Sequence, residues 1–396
     1  MKCLDRRVYG AVFVVVLTII MGACSHDEGE DPVVYDPDKA PLKIGVCLPD
    51  AGSSTEYGKR QWDGIRMAYQ VRPAVNNTKI LLILKEPDDL VGESGLAELI
   101  ENEGLCGVIY SSGVSKEKRY ALGLRNDDVS ICVMTARGGM TKNADMQFLR
   151  IGSTLQDQAR VVALYASRSL NAGSAAIVLD QNRSSCVRLA SLFSSELIRL
   201  GENIADIVYV GNKKDGLDSV AASIMEGNPD VIYMPYSEDT SLEVVALLKE
   251  RHSRSKIIMT NVLFEQEFLR KGGKSIDGVF LVTDFHPEAT QSRWGPALMK
   301  KYEENRKEVD PLETSSALSA DAYFLLVELL EEAEAIDVVS GKESISGIIG
   351  GGALDRLTKY MHVSRIKKGI FREARLTYRE SINPWDLDLK ADIGTE

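Results

Sequence analysis

From Lys43 onward, short apolar runs alternate with segments in which apolar residues recur at helical spacing. Ile44, Val46 and Leu48, with Gly45 and Cys47 between them, show little polar alternation, as in a strand covered on both faces. Pro49 ends that run, Gly52 to Thr55 supply small hydroxyl-rich loop chemistry, and from Tyr57 a helix is predicted through Trp62, Ile65, Ala68 and Tyr69. Strands then follow at Lys79 to Leu84, Gly107 to Tyr110 and Ser130 to Met134, separated by helices at Ser94 to Glu103 and Lys116 to Asn126. Phe148 to Ile151 is a further extended segment, and Gly152-Ser153-Thr154 breaks the series.

A second series repeats the plan. Helices are predicted over Asp157 to Leu170, Ser185 to Leu200, Asp218 to Glu226 and Glu238 to His252, and strands over Ala175 to Leu179, Ile204 to Val210, Val231 to Met234, Ile257 to Thr260 and Gly278 to Val282. Long helices at Gln291 to Asn305 and Ser315 to Ala335 come next, the latter amphipathic through Leu318, Ala322, Leu325, Leu326 and Leu329. Two strands around the turn Lys367-Lys368-Gly369 close the pattern. Repeated βαβ units imply an α/β fold, and two such series imply two doubly wound lobes built on parallel sheets. A binding site then belongs at the carboxyl ends of the strands, beginning with the loop before Tyr57.

The segment before Lys43 does not share this pattern. Lys2, Arg6 and Arg7 precede the apolar stretch Val8 to Gly22, which is short for a membrane span and reads as a secretory signal over residues 1–23. Met21-Gly22-Ala23-Cys24 resembles a bacterial lipobox, which would make Cys24 the lipidated first residue of the mature chain. Residues 24–40 are acidic and aperiodic, a tether. The formal charge is −11, and removal of the leader's net +2 leaves −13, which argues against nucleic-acid or anionic-lipid partners. Beyond Cys3 and Cys24 the cysteines are Cys47, Cys106, Cys132 and Cys186, without a CxxC pair. A single disulfide among Cys47, Cys106 and Cys132 is compatible with an oxidising compartment, as are buried thiols.

Enzyme signatures do not emerge. The first strand–helix turn lacks GxGxxG, and HExxH and GxSxG do not occur. Gly273-Lys274-Ser275 is a P-loop fragment whose first glycine position is Phe268, and His26, His252, His286 and His362 are isolated. Glu328, Glu331, Glu332 and Glu334 read as the solvated face of a long helix rather than a metal site. No cofactor or metal is expected.

The order of these elements and their local wording resemble the solute-binding proteins of branched-chain amino acid ABC transporters, type I periplasmic binding proteins with a two-lobed "Venus flytrap" body. The resemblance runs from about Pro41 to Tyr378 and rests on Lys43 to Val46, Tyr57-Gly58 with Gly64 and Ala68, Gly107-Val108-Ile109 with Ser111-Ser112, Phe148-Leu149-Arg150, Ala175 to Val178 with Asp180, Gly201, and Pro229-Asp230-Val231-Ile232. It implies three crossovers between lobes, near Gly152, near Phe285 and between Gly352 and Tyr360. Lobe one would hold residues 41–152 and 286–352, lobe two 153–285 and 353–380, and 381–396 would be a tail.

The resemblance also implies an amino-acid-like solute between the lobes, an ABC permease as partner, and membrane contact through the lipid anchor alone. A sensor lipoprotein with a diverged pocket is the alternative. Ligand contacts are expected at Tyr57, at Ser111 or Ser112, and over Ala136, Arg137 and Gly138 in lobe one. Hydroxyls and helix N-termini bind a carboxylate without a full positive charge. Arg137 stands beside a position where the family carries a hydroxyl; facing inward it would grip an anion, facing outward it is a solvated loop residue. In lobe two the corresponding places are Ser185 and Asn261, with Tyr236 at a neighbouring strand end. The family's acidic partner for the ligand's ammonium is replaced by Asn261, so the solute need not be a branched-chain amino acid, and an amino acid, a carboxylate or an amide is expected.

Overall fold

The computed structural model describes residues 35–48, 56–85, 100, 102–111, 131–136, 146–210, 216–235, 239–260, 265–290, 292–332, 343–348, 361–368 and 374–383. Two sheets organise them. The first has strand order β2-β3-β1-β4-β5-β6, with β1 (Leu42–Cys47) lying parallel between β3 (Thr78–Lys85) and β4 (Gly107–Ser111). β2 (Ala74–Val75) turns back on β3 through Asn76 and Asn77, at φ 47° and 59°, left-handed values that asparagine tolerates and a two-residue hairpin turn requires. β5 (Ile131–Ala136) and β6 (Met146–Ile151) extend the sheet antiparallel.

The second sheet has order β15-β14-β11-β10-β9-β7-β8. β7 (Ser174–Asp180), β8 (Asn203–Val210), β9 (Val231–Met234), β10 (Lys256–Met259) and β11 (Phe280–Thr283) are parallel, and β14 (Met361–Lys368) and β15 (Ala374–Ile382) close it as an antiparallel hairpin. Its central strands are covered on both sides. Ile177, Leu179, Tyr233 and Ile258 enter one core, while Val178, Ile232, Met234, Ile257 and Met259 enter another. This is the physical basis of the near-continuous apolar runs. A small pair, β12 (Glu343–Ser344) and β13 (Gly347–Ile348), stands apart.

Among the described residues, eight α-helices cover the sheets: α1 (Glu56–Val71), α2 (Leu155–Leu164), α3 (Ser184–Arg199), α4 (Leu217–Gly227), α5 (Asp239–Glu250), α6 (Glu265–Gly272), α7 (Gly295–Glu304) and α8 (Thr314–Glu332). Thr154 and Asp157 cap α2 reciprocally, fixing where the chain re-enters a helix after the first sheet. The first sheet shares one core with α1, α7 and α8, including Ile44, Ile65, Leu298, Ala317 and Leu326, and these form lobe one. The second sheet and α2 to α6 form lobe two. The chain leaves the first sheet at Ile151 and the second at Thr283, and residues 349–360, where a third crossing is expected, lie outside the described residues.

The two-lobed α/β architecture agrees with the sequence reading, with one refinement: both sheets are mixed, because antiparallel strands are added at their edges. The predicted helices 94–103 and 116–126 lie mostly or wholly outside the described residues. One member of the acidic face of α8, Glu328, is not solvated as expected. Glu328 is buried and accepts from Arg293 and from the Trp294 indole, and Glu331 pairs with Arg72 at 2.9 Å.

The candidate disulfide among Cys47, Cys106 and Cys132 is excluded by register. Cys47 and Cys132 both lie opposite Tyr110, on the two strands flanking β4. Two strand spacings of about 4.8 Å exceed the Cα separation a disulfide allows. Cys106 precedes β4, four residues from the position that faces both of them. Cys47, Cys106 and Cys186 are free thiols.

Candidate functional site

At the edge of lobe one that faces the crossovers, β1 and β4 end and α1 begins. Ser111, the last residue of β4, is fully buried. Tyr57 sits in the first turn of α1. Burial and the nearby Asp284 carboxylate push its phenol up to about 12. Asp284 lies just past β11, where the chain returns from lobe two. One of its oxygens accepts the Ser153 N–H at 2.9 Å and the other the Ser153 hydroxyl at 3.0 Å. Ser153 follows β6, so this pair ties together the outgoing and returning chain segments beside Tyr57. Thr283 reinforces the return, its hydroxyl donating to the Phe285 carbonyl at 2.9 Å. His286, buried next in the chain, accepts the Glu288 N–H on Nδ1, and burial lowers its pKa.

The helix that carries Tyr57 is held from the other side by α8. Arg60 forms a buried ion pair with Glu313, the residue before α8. Gly64 packs against Ser316, and Tyr323 donates to the Arg72 carbonyl at 2.5 Å. The contacts advance along both helices in the same sense, so α1 and α8 lie side by side in parallel with both N-termini at the candidate site. Three peptide N–H groups or more at each terminus lack partners within their own helix, which makes this edge suited to a carboxylate.

In lobe two the facing positions follow β7, β9 and β10. Cys186, buried in the first turn of α3, donates weakly to the Pro235 carbonyl at 3.6 Å, and burial pushes its thiol up in pKa. This contact binds the α3 terminus to the end of β9. Thr260, fully buried after β10, hydrogen-bonds the Tyr233 hydroxyl at 2.9 Å, so the floor beneath this edge is internally satisfied.

Of the residues singled out in the sequence, the structure brings Tyr57 and Ser111 to one edge. Ser185 is exposed at the start of α3, in lobe two. Ala136 is not with them. β5 runs antiparallel to β4, pairing Ile131 with Ser111 and Thr135 with Gly107, so Ala136 lies at the opposite end of the strand pair. The expectation that Ala136 joins Ser111 assumed a parallel strand and is corrected by this register. Ser112, Arg137, Gly138, Tyr236, Asn261 and the lipidation candidate Cys24 lie outside the described residues. Asp284, Ser153, Arg60 and Glu313 were not singled out. The available signal for the first two was the break at Gly152-Ser153-Thr154 and the polar segment Asp284 to Pro287, both read only as crossover points.

The comparisons with known proteins agree with this fold. A family model described as periplasmic binding protein matches residues 41–349. Among solved structures, the leucine-binding protein LivK of Thermotoga maritima matches with TM-score 0.64 at 20% identity, over 87% of this chain and 99% of that one. A solute-binding protein of an ABC transporter from Rhodopseudomonas palustris HaA2, in complex with p-hydroxybenzoic acid, matches with TM-score 0.65 at 15% identity, over 89% of this chain and 100% of that one. The branched-chain amino acid transporter substrate-binding protein LivJ from Streptococcus pneumoniae, in complex with isoleucine, matches with TM-score 0.60 at 14% identity, covering 86% and 100%. No curated protein matches the chain. At these identities the structural likeness is one of fold, and membership follows from the family model, which spans most of the sequence: the chain belongs to the periplasmic binding protein family.

Proposed function

We propose that this protein is an exported, non-enzymatic receptor that closes its two lobes on a small carboxylate-bearing solute and delivers it to an ABC importer, held at the membrane by a lipid on Cys24. Its family is one of solute-binding proteins. The observation that carries the reading is Tyr57, a largely buried phenol near Asp284 in the first turn of a helix, at the same strand edge as buried Ser111 and at the junction between lobes. A protonated hydroxyl and a helix N-terminus together solvate a carboxylate in place of water.

The solutes named for the structural relatives, leucine, isoleucine and hydroxybenzoate, share a carboxylate and differ in whether they carry an ammonium. A thermal-shift panel of leucine, isoleucine, benzoate, 4-hydroxybenzoate and their amides tests the reading. A solute at a hundred times its Kd stabilises the folded state by about 2.7 kcal/mol. Stabilisation by a carboxylate and not by its amide, reduced in Tyr57→Phe, is expected; no shift with any member of the panel overturns it. Radiolabelled palmitate incorporation, abolished in Cys24→Ala, tests the anchor.

A further inference from the structure

Glu313 joins the lobes at the N-terminus of α8. It caps α8: its N–H donates to the Ser316 hydroxyl at 3.0 Å and its carbonyl accepts the Ala317 N–H at 2.8 Å, which fixes its backbone. Its side chain is 1% exposed and faces two lobes at once. One carboxylate oxygen pairs with the Arg60 guanidinium of α1 within lobe one. The other accepts the backbone N–H of Gln266 at 2.8 Å. Gln266 is the second residue of α6, whose Phe268 and Leu269 are packed in the core of lobe two.

The two bonds differ in what they require. The Arg60 bond joins α1 to α8 and survives any motion of one lobe against the other. The Gln266 bond exists only while the α6 terminus lies against lobe one. A carboxylate at a helix N-terminus is favoured by the unpartnered N–H groups and the dipole there. Burial, with a smaller push from Asp310, raises the Glu313 pKa overall, and the Gln266 N–H and Arg60 both oppose that rise, so each partner favours the charge that the other uses.

From this we infer that Glu313 and Arg60 are positioning residues for solute capture, forming a clasp with the α6 terminus that sets how often the empty receptor is closed. The inference deepens the receptor reading and rests on it for its biological role, but the clasp itself needs no solute. The solute does not have to touch these residues to feel them, because apparent affinity scales with the fraction of receptor already in the binding-competent arrangement.

The test uses the full-length protein, solute-free, with small-angle X-ray scattering as the measure of lobe separation and urea unfolding as the measure of fold. Gln266→Pro removes the N–H, with Gln266→Ala as the control for the lost side chain, at a first-turn position where proline is tolerated, and leaves Glu313 and Arg60 paired. Glu313→Ala removes both bonds. Glu313→Gln keeps an acceptor without the charge. The expected result is a larger radius of gyration for Gln266→Pro and Glu313→Ala than for wild type, an intermediate value for Glu313→Gln, and an unchanged unfolding midpoint for Gln266→Pro. Loss of one charge-assisted bond corresponds to about a 10-fold change in the closed-to-open ratio. A radius for Gln266→Pro equal to wild type, with the fold intact, overturns the clasp whether or not a solute is known. Failure of the solute panel, by contrast, would leave the scattering result standing.

Discussion

Gly64 is a position where replacing a glycine inside a helix should be harmful although the rule for helices says the opposite. Glycine to alanine in a helix interior ordinarily stabilises by about 1 kcal/mol, through lower chain entropy in the unfolded state. At Gly64 an added Cβ would lie 2.2 Å from the Ser316 carbonyl oxygen, 2.9 Å from its carbonyl carbon and 3.0 Å from its Cα. These are backbone atoms of α8, so no rotamer change relieves the contact. Reaching an ordinary separation requires α1 and α8 to part by about 1 Å, a gap that forfeits a quarter to a half of each dispersion contact it crosses. The Arg60–Glu313 pair before Gly64 and the Tyr323–Arg72 bond after it resist that separation. Overpacking costs of about 1–3 kcal/mol, or more where relaxation is blocked, outweigh the helix gain. Gly64→Ala should therefore lose about 1–2 kcal/mol net. Gly227, at the end of α4, provides the control: nothing lies within 4 Å of its added Cβ, and Gly227→Ala should be neutral to stabilising by about 1 kcal/mol. Equilibrium urea unfolding followed by tryptophan fluorescence reads the effect, since Trp62 and Trp294 both pack on the lobe-one core. A Gly64→Ala midpoint at or above wild type would refute the close approach of the two helices.

Three further outcomes are expected. His286 is neutral in the fold because burial lowers its pKa below 6.5, so the unfolded chain takes up a proton first as pH falls; its share of stability is present above about pH 6.5 and is lost on acidification. His286→Asn, which keeps an acceptor for the Glu288 N–H, should flatten the fall in Tm between neutral and mildly acidic pH, and an unchanged slope would exclude His286 as its source. Asp321, buried in α8, accepts the N–H groups of Ile345 and Ser346 and the Ser346 hydroxyl, so Asp321→Ala should cost about 2–4 kcal/mol and expose those two amides to hydrogen exchange; protection equal to wild type would contradict the contact. Alkylation of the denatured, unreduced protein followed by mass spectrometry should find Cys47, Cys106 and Cys186 modified, and a disulfide-linked peptide containing any of them would overturn the register argument.

The apolar runs of β1, β7 and β9 were readable because strands buried on both faces need apolar residues at almost every position. Strand direction was not readable. The pattern in Ile131–Ala136 is the same whichever way the strand runs, and that is why Ala136 was assigned to the wrong end of the sheet. Glu328 was misjudged because a helix face can be inspected in sequence, but Arg293 and Trp294, which bury it, come from a segment thirty or more residues away. Arg60 and Glu313 are 253 residues apart and carry no local signature as a pair. Tyr57 and Ser111 were found because their positions at a helix start and a strand end are local facts.

The core of lobe one is assembled from the two ends of the described chain. Its sheet is complete at Ile151, while Ala317 to Leu329, which cover it, arrive only after β7 to β11 of lobe two have been made. At synthesis rates of about 5–20 residues per second, the intervening stretch takes on the order of ten seconds or more. During that delay the first sheet has no α8 to lie against, and its apolar face is open to water and to other chains. Lobe two is continuous from α2 to β11 and waits only for its closing hairpin, β14 and β15, which follows α8. The part of the receptor begun first thus keeps an apolar face uncovered while most of the other is made, and the period before α8 docks is when a newly made chain is most exposed to aggregation or to capture by a chaperone.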